Sequence, residues 1–120
     1  MKTKYTNKDF ELYVTNVLMY LDLYGCKDYH VEFRHEQLSE GTFATVEYFI
    51  EAKKAVFKLS KIVDSPATAR KMIQTAHEEV LHLIFAEYTH FANVVKDQYD
   101  VLLLSLEHSI INKIIHAMEV

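Results

Sequence analysis

The sequence predicts a small α+β domain in which an N-terminal helix, a three-stranded antiparallel sheet and two long helices follow one another. Half of the 120 residues are apolar, which suffices for one hydrophobic core and predicts a single domain over residues 1–120. The chain contains only two glycines and one proline, so we expect long regular elements. Apolar residues recur at helical spacing near both ends and alternate in the middle, which is typical of strands between helices.

The first helix is predicted to begin after Thr6 and Asn7, both of which are good N-cap residues. Beyond them, the apolar residues that recur at helical spacing are Phe10, Val14, Val17, Leu21 and Tyr24. Gly25 follows this stripe and is a natural helix end. The pattern therefore predicts one helix with a single buried face.

Three strands are predicted in the middle of the chain. Residues 30–37, HVEFRHEQ, alternate between apolar and charged positions, as a half-buried strand does. Residues 42–50 and 54–63 also alternate, and the short polar connection between them is typical of a β-hairpin. We therefore expect a small antiparallel sheet.

The C-terminal half is predicted to be helical. Asp64 and Ser65 supply a cap and Pro66 suits a first helical turn, after which no glycine or proline occurs. The apolar rhythm lapses over residues 93–100, NVVKDQYD. We therefore expect two helices, one ending near Phe91 and the other covering about residues 101–118.

Composition argues against several classes of function. The formal net charge is −4 and the basic residues are scattered, which argues against nucleic-acid binding. No apolar run is long enough for a secretory signal or a membrane span. The single cysteine, Cys26, excludes an internal disulfide and is typical of a reducing compartment, so a cytoplasmic location is expected.

A candidate metal site lies in AHEEVLHLIF, residues 76–85. His82 follows His77 by five residues, which on an α-helix places their side chains roughly 140° apart. Glu78 and His82 are four residues apart, roughly 40° around the axis, so this pair offers two ligands on one face. Glu79 lies beside them, where a carboxylate acts as general base. A π-bulge near Val80 would instead bring His77 and His82 together, with Glu78 as the base.

The segments EEVLHLIFAEY and LEHSIINKI, with the strands before them, resemble the small single-domain zincin metallopeptidase-like proteins of phage and prophage genomes. The resemblance implies a metal held by Glu78, His82 and Glu107, with Glu78 at the position of the first histidine of HExxH. It implies Glu79 as the general base. Zinc is the metal expected from the family, and two carboxylates with one imidazole suit manganese or iron about as well.

Glu107 also stands out from its own surroundings. It shares an apolar helical stripe with Ile110 and Ile114, where a lone carboxylate needs a partner. A metal ion would be such a partner, and so would Arg70, Lys113 or His82.

Two functional hypotheses follow. In the first, the protein is a metal-dependent peptidase in which Glu79 activates a metal-bound water. In the second, the zincin-like fold has no working site and acts as a protein-binding or inhibitor module, for example a phage protein that engages a host factor in the host cytoplasm. Both hypotheses expect a peptide or protein as substrate or partner.

Overall fold

The computed structural model describes residues 2–118, without the side chains of residues 99, 103, 117 and 118, so Met1 and residues 119–120 of the predicted domain lie outside it. The described chain divides into two compact units between Glu87 and Tyr88. The elements, in order, are β1 (Thr3–Lys4), α1 (Asn7–Leu23), β2 (His30–His35), β3 (Ala44–Phe49), β4 (Lys54–Leu59), β5 (Ile62–Val63) and α2 (Ala69–Met118). The predicted α+β class is confirmed.

Helix α1 begins and ends where the sequence predicts. The Thr6 hydroxyl accepts a hydrogen bond from the Asp9 backbone N–H at 3.3 Å, and the Asp9 carboxylate accepts one from the Thr6 backbone N–H at 2.7 Å, which completes a capping box. Gly25 follows the helix with φ +74°, a conformation that costs glycine little. The buried face is rotated slightly from the expected stripe, since Tyr13 and Asn16 are buried with Val17 and Leu21 while Tyr24 is exposed.

The sheet has the strand order β2-β4-β3 and is mixed. Strands β3 and β4 form the predicted antiparallel hairpin, with Val46 opposite Phe57. The expectation of a wholly antiparallel sheet is wrong for β2, which pairs in parallel with β4 and places Phe33 opposite Phe57. Strand β4 is the most buried strand and takes the centre, so β2 lies along the edge that the hairpin leaves open.

One hydrophobic core joins α1, β4 and the first part of α2. Its buried members on these three elements are Tyr13, Val17, Leu21, Ala55, Phe57, Leu59, Met72, Ala76, Val80 and Leu83. The two-residue strands β1 and β5 pair antiparallel beside it and bring Tyr5 and Val63 into the same cluster. This core fixes the positions of α1, β4 and the first part of α2.

The prediction of two C-terminal helices is met only approximately, because residues 69–118 are helical throughout. Residues 93–100 lose the apolar rhythm but contain no glycine or proline, so nothing in them breaks the helical backbone. The second unit consists of residues 88–118 of this helix, and its described large apolar side chains are exposed, as in Val101. Within the described residues, no helix is both long and apolar enough to cross a membrane.

The left-handed backbone at Gly25 generates a stability prediction. No atom lies within 4 Å of the position that a Cβ would take, so a substitution there meets backbone strain alone. We expect Gly25→Ala to lower the free energy of unfolding by about 1 kcal/mol, and Gly25→Asn to lower it less, since asparagine tolerates this region. Urea unfolding measures both values. Equal losses for the two variants would contradict the account.

Candidate functional site

The orientation of α2 about its own axis decides where the candidate residues lie. Ala76, Val80 and Leu83 are fully buried in the core. Side chains three or four residues apart share one face of a helix, so these three fix which side of α2 faces inward. The residues between them must then lie to the sides of the buried face or point away from it.

His77 lies on the side of α2 that faces α1. Its Nε2 atom is 2.6 Å from the Tyr24 hydroxyl, and its ring stacks on Tyr20 at 4.2 Å between centroids. Helix α2 is α-helical through Val80, so His77 and His82 are not brought onto one face. The alternative pair of ligands, His77 and His82, is therefore not assembled, and His77 instead joins the two helices.

Glu78 and His82 are both exposed and lie four residues apart on α2. The Gln74 side-chain amide donates to Glu78 Oε1 at 3.4 Å. Spacing and exposure suit a pair of ligands that a metal ion can reach from solvent.

Glu79 is the buried acid of this stretch, with 9% of its surface exposed. Burial raises the pKa of its carboxyl group, the neighbouring Glu78 carboxylate adds to the rise, and His82 partly offsets it. Burial raises the pKa of the Tyr13 hydroxyl, and the negative charge of the Glu79 carboxylate raises it further. No hydrogen bond to the Glu79 carboxyl is found within residues 2–118.

A pocket of about 270 Å³ opens beside Glu79. It is lined by residues 41–44, which lead into β3, and by Thr75, Glu78 and Glu79 of α2. Gly41 turns the chain with φ +82°, and the Lys71 ammonium group lies 4.2 Å from the centroid of the Phe43 ring. A nearly buried carboxyl group therefore lines a cleft between the sheet and α2.

The fit of a metal ion depends on a third donor. Zinc sites use three or four protein ligands, and Glu78 with His82 supplies two. Among the residues that the structure describes, no group of three His, Cys, Asp or Glu side chains is placed to hold a metal ion, and Glu107 is an exposed residue of the second unit. The ligand set Glu78, His82 and Glu107 stays a prediction.

Sequence patterns did not indicate the partners of these residues. The 41–44 segment and Tyr13 approach Glu79 from distant parts of the chain, and Gly41 was the local sign of a turn in that segment. A scan of protein-family models, a search of curated proteins and a search of solved structures each found no match. The resemblance to zincins therefore rests on the motifs quoted above.

The raised pKa of Glu79 predicts how its substitution changes stability with pH. A carboxyl group whose pKa is higher in the folded state favours folding below its ordinary pKa, and that contribution is lost as the pH rises through the raised value. At pH 7 the buried negative charge opposes folding. We expect Glu79→Gln to raise the free energy of unfolding at pH 7 by on the order of 1 kcal/mol, and the gain to shrink towards pH 4.

Thermal unfolding at several pH values measures this effect. The exposed neighbour provides the matched control, since Glu78→Gln should change the melting temperature little at either pH. A lower melting temperature for Glu79→Gln at pH 7 would show that the ionised carboxylate stabilises the fold and would contradict the account.

Proposed function

We propose that this protein binds an extended peptide segment along β3, with a basic side chain of that segment entering the pocket lined by Glu79. The observation that carries the proposal is the position of a nearly buried carboxyl group, whose pKa is raised by burial, beside the start of an edge strand. This proposal corresponds to the second hypothesis from the sequence, in which the zincin-like fold acts as a protein-binding module.

Strand β3 has the properties of a docking edge. Among residues 2–118 it is one of the two outer strands of the sheet, so one row of its backbone N–H and C=O groups has no neighbouring strand. A peptide that adds to such an edge gains main-chain hydrogen bonds, and pockets for its alternate side chains give specificity. Tyr48 and Phe49 at the end of β3 are 46% and 55% exposed and offer apolar contacts.

The pocket has the chemistry for a cationic group. Glu79 and Glu78 both line it, and the described lining includes no basic side chain. An ammonium or guanidinium group would favour the ionised form of Glu79 and lower its raised pKa. Binding would then form a charge-assisted hydrogen bond with the ionised carboxylate of Glu79.

A metal-dependent hydrolase is the second candidate. The observation that favours it is the placement of Glu78 and His82 four residues apart and exposed, next to Glu79. In that function, Glu79 would serve as general base, and Glu78, His82 and Glu107 would be the ligands of zinc, manganese or iron. The bound peptide would be its substrate.

A library of fluorescent peptides tests both functions in one design. We expect peptides with one Lys or Arg to bind more tightly than matched neutral peptides, and Glu79→Gln to weaken that binding by about 10-fold, because it removes the buried charge partner. His82→Ala, which leaves the pocket lining unchanged, is the control and should stay within about 2-fold of the parent.

The same peptides are then incubated with added zinc or manganese. Equal affinity for basic and neutral peptides would contradict the binding proposal. Peptide cleavage by the parent that disappears in both Glu79→Gln and His82→Ala would replace it with the hydrolase.

A further inference from the structure

A second pocket, of about 480 Å³, lies at the start of the chain and has the opposite charge. The residues that line it are Lys4, Tyr5, Thr6, Asn7, His35 and Lys61. The lining contains two lysines and no carboxylate. No ion pair is found for Lys4 or Lys61 among residues 2–118, whereas Lys58 lies between the carboxylates of Glu36 and Glu47.

The N-terminus of α1 forms one wall of this pocket. Helix α1 has 17 residues, and the first backbone N–H groups of a helix have no partner within it. The Asp9 carboxylate is committed to the backbone N–H and hydroxyl of Thr6, at 2.7 and 2.9 Å. The N–H groups of the next residues, beginning with Asn7, remain available to a ligand, and the helix dipole favours an anion there.

Two buried polar atoms of the lining residues have no hydrogen-bond partner among residues 2–118. They are the hydroxyl oxygen of Tyr5, a residue only 1% exposed, and Nε2 of His35. The Ser65 side chain is near enough to the Tyr5 hydroxyl to oppose the rise in its pKa that burial causes, but the pair does not meet the geometric requirements of a hydrogen bond. Buried polar groups are normally satisfied, and the Tyr5 hydroxyl carries a hydrogen that it can donate to a ligand of this pocket.

His35 forms another side of this pocket. Its ring stacks on Phe10 with centroids 4.9 Å apart, and the nearby backbone of Ser60 opposes the lowering of the His35 pKa that burial causes. Nε2 has no hydrogen-bond partner among residues 2–118, and it can donate to an anion only in the tautomer that carries its hydrogen.

We propose that this pocket binds a phosphate-type oxyanion, either free phosphate or the phosphoryl group of a small phosphorylated molecule. Lys4 and Lys61 supply positive charge, Asn7 supplies a helix N-terminal N–H, and the Tyr5 hydroxyl donates a further hydrogen bond. A tetrahedral dianion accepts hydrogen bonds from several directions at once, as these donors require. The site is distinct from the acidic pocket of the proposed function and does not depend on it.

Titration of the ¹⁵N-labelled protein with sodium phosphate, at constant ionic strength set with sodium chloride, tests the proposal. We expect saturable shifts of the Thr6 and Asn7 amide signals with one site per chain. Lys61→Met should weaken phosphate binding by about 10-fold, as loss of one charge-assisted hydrogen bond does. Lys96→Met, which removes the same charge from the second unit, is the matched control and should stay within about 2-fold.

Tyr5→Phe separates ligand binding from a structural role. The variant keeps the buried ring and removes a hydroxyl that has no partner in the fold, so the protein should remain folded while phosphate binding weakens by about 5-fold. Glycerol 3-phosphate is titrated in parallel. Tighter binding than phosphate would identify a phosphorylated molecule as the ligand, and weaker binding would identify free phosphate.

Two results would overturn the proposal. One is a set of shifts that grow linearly with phosphate and do not saturate. The other is an equal phosphate affinity for the parent, Lys61→Met and Tyr5→Phe. An affinity that does not depend on the lining residues would show that phosphate binds outside this pocket.

Discussion

The packing of α2 into the core is the constraint on which the candidate site depends. Met72, Ala76, Val80 and Leu83 are buried at successive turns, so the helix has one orientation about its axis. Rotation by one residue position, roughly 100°, would expose this apolar row and bury its neighbours instead. In this orientation His77 packs against the tyrosines of α1, and Glu79 lies in the cleft beside β3. Glu78 and His82 are exposed to solvent. The positions of the candidate side chains on α2 therefore follow from core packing.

Backbone pairing at the start of the chain creates the basic pocket. The Tyr5 backbone N–H donates to the Lys61 carbonyl at 2.6 Å, and β1 pairs with β5 next to it. This pairing brings Lys4 and Lys61 to the N-terminus of α1, where both line the basic pocket. The first unit thus has an acidic pocket between β3 and α2 and a basic pocket at the N-terminus of α1.

Local patterns were sufficient for the elements whose partners are close in sequence. The cap at Thr6, the end at Gly25 and the β3-β4 hairpin all depend on residues a few positions apart, and all were predicted. The parallel pairing of β2 was missed because alternation within a strand carries no information on the direction of its neighbour.

Some features of the candidate site could likewise be predicted from local spacing, and others could not. Spacing alone places Glu78 and His82 on one face of a helix, because four residues is close to one turn. It could not show that Glu79 would be the buried acid, since residues 41–44, which line its pocket, and Tyr13, whose pKa it raises, are distant in sequence. The stacking of His77 on Tyr20, 57 positions away along the chain, likewise has no local signal.

The most direct test of the central claim is a ¹³C NMR titration of the glutamate side-chain carboxyl groups, with Glu79 assigned by comparison with Glu79→Gln. The account predicts that burial raises the pKa of Glu79 above the ordinary value of a glutamate, while the ion pair with Lys58 holds the pKa of Glu47 below it. A pKa for Glu79 at or below the ordinary value of a glutamate would show that its carboxyl group is not buried. Such a result would contradict the orientation of α2 and the acidic pocket together.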